Sequence, residues 1–409
     1  MRILLSATAY PPSIGGAQEY AHQLLKQLRL AGHEVSAICQ WDENRSDWLL
    51  GTTLSAPRST KQYQRDGVSV TRIGVPARRR WEFLPWLPFN FVSQRLGGGR
   101  IAATLLSEIR PHVQRADVVH NVRIGRAGIS IASQRLAQEW GVPFVLTPVH
   151  HARWSRWIHR EYRDLYRTAD LVIALTPTEG EMLQDLDVPA SRQIISGTGP
   201  VVAEESFPDR FRSEHGVAGP MVLFLGQKYH YKNFDLILEA APEVWRTCPD
   251  AHFMFIGPRT PYSVRRFRSV RHPNIHELGT VPLQHKTDAL AACDILCVPS
   301  GQESFGAVFL EAWMFEKPVI GGPAPALRDV ISEGVDGHLV QAEPHQLAQR
   351  IVALLKNPSL RGEMGKRGKV KVLSRFVWPK LAEKTQAAYA EAIASYRGRK
   401  PGQGANRPA

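Results

Sequence analysis

Short apolar runs alternate with amphipathic stretches along almost the whole chain. "RILLSATAY" reads as a strand. "EYAHQLLKQLRLAGH" places Ala21, Leu24, Leu25 and Leu28 at i, i+3, i+4 and i+7, which is one face of a helix, and Gly32 can end it. "EVSAICQ", "VSVTRIG", "DVVHN", "PFVLTPVH" and "DLVIALT" follow as strands, and this half ends near "QIISGTGP". A second series then restarts. "MVLFLGQ", "HFMFIG", "NIHELGTV", "DILCVPS", "KPVIGG" and "GHLVQA" are strands, with helices such as "NFDLILEAAPEVWRTCP" and "PHQLAQRIVALLKN" between them. Strands alternating with helices predict an α/β chain with parallel sheets. At roughly 100–200 residues per domain, 409 residues suit two domains. The expected division is an N-terminal Rossmann-like domain over 1–200, a polar linker over 201–219 and a C-terminal domain over 220–378. A terminal helix over 379–396 is expected to pack back on the first domain, and a Gly/Pro/basic tail over 397–409 to be disordered. Ligands of doubly wound sheets bind beyond the carboxyl ends of the strands, so two facing domains make a deep interdomain cleft the default site.

Composition narrows this only a little. Hydrophobic content of 43% and charged content of 22% are ordinary for a globular protein. Cys39, Cys248, Cys293 and Cys297 lack zinc or disulfide spacing and read as reduced thiols of a cytoplasmic protein. No apolar run approaches the length of about 18 that a membrane span needs. The start "MRILLSATAYPP" mimics a signal peptide, but its apolar stretch is short and a first strand fits better. A net charge of +13 favours anionic partners without choosing among them.

One segment, Pro76 to Arg100, interrupts the alternation. Arg78, Arg79 and Arg80 stand beside Trp81, Phe83, Trp86, Phe89 and Phe91. Basic residues next to aromatics suit an anionic membrane interface. An equally simple reading is a loop whose aromatics pack on the domain. A second basic-aromatic stretch holds Trp154 and Trp157 with Arg153, Arg156, Arg160, Arg163 and Arg167. It reads either as acceptor lining or as an amphipathic helix.

The chemistry concentrates in "GQESFGAVFLEAW". Glu303 and Glu311 flank a turn from a buried strand into a helix expected to begin near Ser304–Phe305. The first N–H groups of that helix can take a phosphate. At about 100° per residue the two carboxylates do not share one stripe, which disfavours a metal site or a shared-proton pair and favours two hydroxyl-bearing groups separated by phosphates. "LFLGQKYHYKN" adds Gly226, Lys228 and Lys232 on a loop that also follows a strand.

With these motifs in place, the chain resembles glycosyltransferase family 4, retaining nucleotide-sugar transferases of the GT-B fold. The resemblance is dense from about Met221 to Tyr389 and looser before. It rests on E-x7-E between Glu303 and Glu311, the Phe-Gly after the first glutamate, "EA" then "KPVI", and "DGHLV". It implies that Glu311 binds the donor ribose and Glu303 the transferred sugar. It also implies that Ser304, Phe305, Gly306 and Ala307 face sugar and diphosphate, that Lys232 holds the diphosphate, and that Gly226, Gln227 and Lys228 belong to the same donor loop. Gly15 and Gly16 match the family's glycine loop near the donor phosphates. His150 matches a histidine placed near the reacting sugar, with His151 as the alternative in register; a strand-end histidine that merely satisfies hydrogen bonds is the plainer reading. His150, Glu303 and Lys232 are thus the expected catalytic residues. No metal and no cofactor are expected. The partners implied are a nucleotide-diphosphate sugar and a glycan or lipid-linked acceptor in glycan, glycolipid or polysaccharide biosynthesis, with peripheral association at the inner membrane face through 76–100 and no nucleic acid.

Two departures stand out. Gln227 occupies the place of the family's usual arginine, with Lys228 as the candidate replacement. Ala324, Pro325 and Asp329 occupy a region where the family has a glycine pair before a glutamate. Gln227 keeps open a non-catalytic nucleotide-sugar-binding member of the fold. A metal-dependent transferase would need an Asp-x-Asp motif after a strand; Asp185-Leu186-Asp187 ends a helical segment and reads as solvated charge. A Rossmann oxidoreductase would need G-x-G-x-x-G spacing, which "SIGGAQE" and "LGQKYHYKN" both lack. No nucleic-acid-binding signature appears.

Overall fold

The structure is a computed structural model that describes residues 1–43, 57–82, 84–86, 94–122, 127–150 and 160–398. Packing divides it into two units. Unit 1 comprises Met1–Gly197 with Trp378–Ala409, and unit 2 comprises Thr198–Val377.

Unit 1 holds β1 (Arg2–Ala9), β2 (Glu34–Trp41), β3 (Lys61–Arg65), β4 (Val68–Arg72), β5 (Val118–Val122), β6 (Phe144–Thr147), β7 (Leu171–Ala174) and β8 (Gln193–Ile195). They form one sheet in the order β3-β4-β2-β1-β5-β6-β7-β8. Every pair is parallel except β3 with β4, a hairpin turned at Asp66-Gly67, both at positive φ. β3 reads "KQYQR", so hydrophobic periodicity could not reveal it; the Asp-Gly turn was the available signal. The helix Gly16–Leu30 buries Ala21, Leu24, Leu25 and Leu28, the face its spacing predicts.

The interrupting segment differs from expectation. From Gln94 the chain is helical to Ile109, straight through Gly97, Gly98 and Gly99. That helix packs on the helix Ala127–Trp140, and a Cβ on Gly128 would stand 3.1 Å from both Ile101 and Leu105. Close helix contact here overrides the poor helix propensity of glycine. Phe83, Phe89 and Phe91 lie outside the described residues, as do His151, Arg153, Trp154, Arg156 and Trp157. The terminal helix Trp378–Gly398 packs against Gly16–Leu30. The Trp378 and Tyr20 rings are 5.9 Å apart, and buried Tyr389 Oη lies 2.6 Å from His120 Nδ1. Residues 399–409 fall outside the described residues.

Unit 2 holds β9 (Met221–Leu225), β10 (His252–Ile256), β11 (Ile275–Glu277), β12 (Ile295–Val298), β13 (Val319–Gly321) and β14 (Gly337–Leu339), all parallel, in the order β11-β10-β9-β12-β13-β14. β9, β10 and β12 are buried along their whole length, as central strands covered on both faces must be. The expected linker over 201–219 is instead part of this unit. It carries the helix Pro208–Glu214, with Phe211 fully buried. Its polar residues are bonded to the helix Leu283–Ala292 and its end: Ala203 N–H to Thr287 (2.9 Å), Phe207 N–H and Arg210 to Asp288 (2.8 and 2.6 Å), and Arg212 to Asp294 (2.9 Å). Polarity there reflects paired groups, which composition could not distinguish from solvated ones.

Candidate active site

In unit 2 the strand order reverses between β9 and β12, and the crevice at such a reversal is where doubly wound sheets take ligands. The loop after β9 supplies Lys232, and the loop after β12 supplies Glu303. Backbone bonds zip the two loops together: Gly301 N–H donates to Tyr231 O (2.9 Å), and Asn233 Nδ2 donates to Pro299 O (2.9 Å). Held this way, Lys232 and Glu303 form an ion pair with both side chains largely buried.

The helix after β12 begins at Ala307, later than expected, and runs to Met314. Gly306 is its N-cap at φ 84°, and a Cβ there would lie 2.6 Å from the Phe309 ring. Both the left-handed backbone and the space therefore require glycine. Ser304 and Phe305 sit in the preceding loop, and Phe305 packs edge-on against Phe376. Glu303 is thus a loop residue, and Glu311 stands little more than one turn into the helix. The first N–H groups of that helix, from Ala307 on, face the same edge as Glu303.

Glu311 is 5% exposed. Its Oε1 accepts from Lys286 Nζ at 2.8 Å and from Val201 N–H at 3.4 Å, and Lys286 also donates to Val201 O at 2.7 Å. Lys286 lies in "LQHKTDAL", a stretch with no motif, so sequence reasoning missed it.

Lys228 is a correction. Its side chain is fully buried and donates to Gly257 O (2.8 Å) and Leu278 O while pairing with Glu277. Burial pushes its pKa down, and Glu277 counteracts this. Arg259 holds the other Glu277 oxygen at 2.7 Å. This ammonium ties the ends of β10 and β11 and does not replace the cation missing at Gln227. Gly226 ends β9, its N–H donating to Ile256 O at 3.0 Å. Asp329 is exposed on the short helix Leu327–Val330.

In unit 1, Gly15 caps the helix Gly16–Leu30 after β1, and Glu19 N–H donates to Gly15 O. His150 follows β6 but is 2% exposed. Its Nδ1 lies 3.0 Å from Tyr166 Oη, and its backbone N–H donates to Glu179 Oε1 at 2.5 Å. The second Glu179 oxygen accepts from Leu175 N–H at 2.6 Å. Glu179 is itself buried, and burial pushes its pKa up to about 7 against the pull of those two N–H groups. His150 is therefore buried and hydrogen-bonded. Nothing in the motifs pointed to Glu179. Asp187 pairs with Arg167 at the surface, as solvated charge should.

Among the described residues no helix is long and apolar enough to cross a membrane.

Comparison with known proteins now bears on this geometry. Residues 15–198 match the family described as "Glycosyl transferase 4-like domain", and residues 219–357 match "Glycosyl transferases group 1". The chain belongs to the GT-B glycosyltransferase superfamily. This GT-B chain is 32% identical over 174 residues to the phosphatidyl-myo-inositol mannosyltransferase of Mycobacterium leprae, a match covering 42% of the chain and 46% of that protein. It thus spans about half the length of that relative. It is 27% identical over 432 residues to the glycogen synthase of Mycobacterium tuberculosis, covering 98% and 97% of the two chains. Among solved structures, Anabaena HepE in complex with UDP-glucose superposes with a TM-score of 0.73 at 16% identity, over 97% of this chain and 100% of that one. The sucrose-phosphate synthase of Thermosynechococcus elongatus gives 0.73 at 17% identity, over 96% and 99%. At these identities the structural likeness shows the GT-B fold alone.

Proposed function

We propose that this chain is a retaining, metal-independent family 4 glycosyltransferase that moves a sugar from a nucleotide-diphosphate sugar to an acceptor hydroxyl. The observation that carries the reading is the Lys232–Glu303 pair at the strand-order reversal of unit 2, with the Lys286–Glu311 pair on the adjoining helix. Lys232 and the N–H groups of Ala307 onward suit a diphosphate. Glu303 suits the hydroxyls of the transferred sugar, and Glu311, oriented by Lys286, the ribose. The HepE complex with UDP-glucose and the mannosyltransferase and glycogen synthase relatives support the substrate class and a place in glycan biosynthesis.

In this mechanism the bond from the anomeric carbon to the diphosphate oxygen breaks through an oxocarbenium-like state, and the leaving group gains negative charge. Lys232 and the helix N–H groups stabilise that charge, the kind of contribution that is usually largest in enzyme catalysis. The acceptor oxygen bonds to the anomeric carbon on the leaving-group face, and its proton passes to the departing phosphate. His150, buried against Tyr166, holds the local backbone through its N–H to Glu179. Arg78 and Trp81, which is 72% exposed, suit an anionic membrane surface that carries the acceptor, while Arg79 pairs with Glu108 and Arg80 donates to Val75 O. Salt-sensitive binding to phosphatidylglycerol vesicles, weakened on reversal of the Arg78 charge, tests this.

A thermal-shift panel of UDP, GDP, ADP and their sugars tests the donor reading. A ligand present at 100 times its dissociation constant adds about 2.7 kcal/mol of apparent stability. No shift with any nucleotide defeats it. Anomeric NMR of the product then tests retention. A second reading, a non-catalytic nucleotide-sugar-binding protein, draws on Gln227 and the buried Lys228, which leave Lys232 as the loop's site lysine among the described residues. Binding without transfer across a panel of acceptors would favour it.

A further inference from the structure

Outside the donor site, His215, His285 and Glu214 converge where the helix Pro208–Glu214 meets the helix Leu283–Ala292. Among the described residues this is the group whose donor atoms come close enough to hold one metal ion, all within 4.8 Å of one another. The Nε2 atoms of His215 and His285 face each other at 3.0 Å. Only one proton fits between two imidazole nitrogens so placed, and a divalent ion can take its place. Nitrogen ligands of a tetrahedral zinc ion sit at about 2.0–2.1 Å from the metal and so about 3.4 Å apart. The rings need to separate by only a few tenths of an ångström.

Both imidazoles lean on the buried ring of Phe211, with centroids 4.6 and 4.9 Å away, so their planes are fixed before any ion arrives. Glu214 Oε2 lies 3.9 Å from His285 Nδ1 on a half-exposed side chain, and it reaches an ion held at Nε2 by a side-chain rotation. The competing cation, Arg210, is bonded to Asp288 at 2.6 Å and stands 3.9 Å from Glu214. Both histidines are partly exposed, so an ion can enter from solvent.

We propose that His215 and His285, through their Nε2 atoms, together with Glu214, form a binding site for a divalent transition metal such as zinc. Two imidazoles and one carboxylate select zinc, cobalt, nickel or copper over calcium and magnesium, which prefer all-oxygen shells. The ion clamps the 201–219 segment to the helix whose next residue, Lys286, holds Glu311. This site shares no side chain with the donor site and does not depend on the glycosyl-transfer reading.

The test titrates untagged, EDTA-stripped full-length protein with zinc chloride by calorimetry and with cobalt chloride by visible absorption. One tight site is expected, with the ligand-field bands of a four-coordinate cobalt ion. His215→Gln and His285→Gln should each weaken binding at least tenfold, and Glu214→Gln should weaken it less. His345→Gln, which alters a surface histidine paired with Glu243, should leave binding unchanged. Thermal unfolding in EDTA checks that the variants fold, and the exposed Glu214→Gln decides if a histidine variant does not. Absence of a tight site, or affinity unmoved by His285→Gln or lowered equally by His345→Gln, overturns the proposal.

Discussion

The carboxyl edges of the two sheets solve different problems. In unit 2 the edge residues are charged pairs, Lys232 with Glu303 and Lys286 with Glu311, whose lysines keep a small exposed fraction. In unit 1 the comparable residues are deeply buried. His150 is held by Tyr166 and Glu179, and behind the edge, in the middle of β5, His120 is held by Tyr389 and Thr147. Burial drives His120 down to about 3, so it stays uncharged at neutral pH, while it lifts Glu179 to about 7. Charged pairs near a surface can exchange partners with an ionic ligand. Buried hydrogen-bonded groups cannot do so without a desolvation cost, so they serve to hold backbone in place. Under the proposed function, ligand work falls to unit 2 and positioning work to the histidine network of unit 1.

Substitutions that separate these jobs test it, starting with the strongest. Glu303→Gln and Lys232→Ala should each lower kcat by roughly 10²–10³-fold, the scale of losing one electrostatic contact to developing charge. Steady-state transfer assays read this, and an unchanged rate would remove the pair from the site. Glu311→Gln should weaken nucleotide binding about tenfold, near 1.4 kcal/mol, and Lys286→Met should do so less. Calorimetry with the nucleotide checks both, with urea unfolding run alongside to separate lost affinity from lost stability.

Lys228→Met should reverse that pattern. It breaks a buried ion pair and should cost about 3 kcal/mol in urea unfolding with little change in nucleotide affinity. Equal loss of affinity would return Lys228 to the donor site.

The unit 1 groups differ in their pH signatures. Glu179 has a folded pKa raised from 4.5 to about 7, so its contribution to stability is full below 4.5 and is lost as pH rises to about 7. His120 has a folded pKa depressed from 6.5 to about 3, so its contribution is present above 6.5 and is lost as pH falls toward 3. Glu179→Gln should therefore flatten the Glu179 part of the slope between pH 4.5 and 7, by at most about 3 kcal/mol. Urea midpoints across that range check it. The smallest effect expected is Gln227→Arg, which should tighten diphosphate binding several-fold by restoring a cation.

Much of unit 2 was legible in sequence. Its central strands β9, β10 and β12 are fully buried and so read as apolar runs, and its candidate site residues follow strand ends in a spaced motif. Glu303, Glu311 and Lys232 could be singled out as candidates that way, whereas the left-handed backbone that requires glycine at 306 could not. Lys286 and Glu179 could not, because each acts through a partner distant in sequence: Glu311 for one, the His150 backbone for the other. Lys228 and Lys232 stand four residues apart in one loop and look alike as letters. Which of them faces the crevice and which turns inward to Glu277 follows from side-chain direction.

The sequence by itself determined two parallel α/β domains and the strand ends that carry charge, because hydrophobic period and turn residues act locally. Only the tertiary structure decided that 201–219 packs into unit 2, that a run of three glycines stays helical, and that His150 is buried. Each of these depends on partners supplied by distant segments: Asp288 and Asp294, the helix Ala127–Trp140, and Tyr166 with Glu179. Polarity and propensity do not encode those pairings position by position.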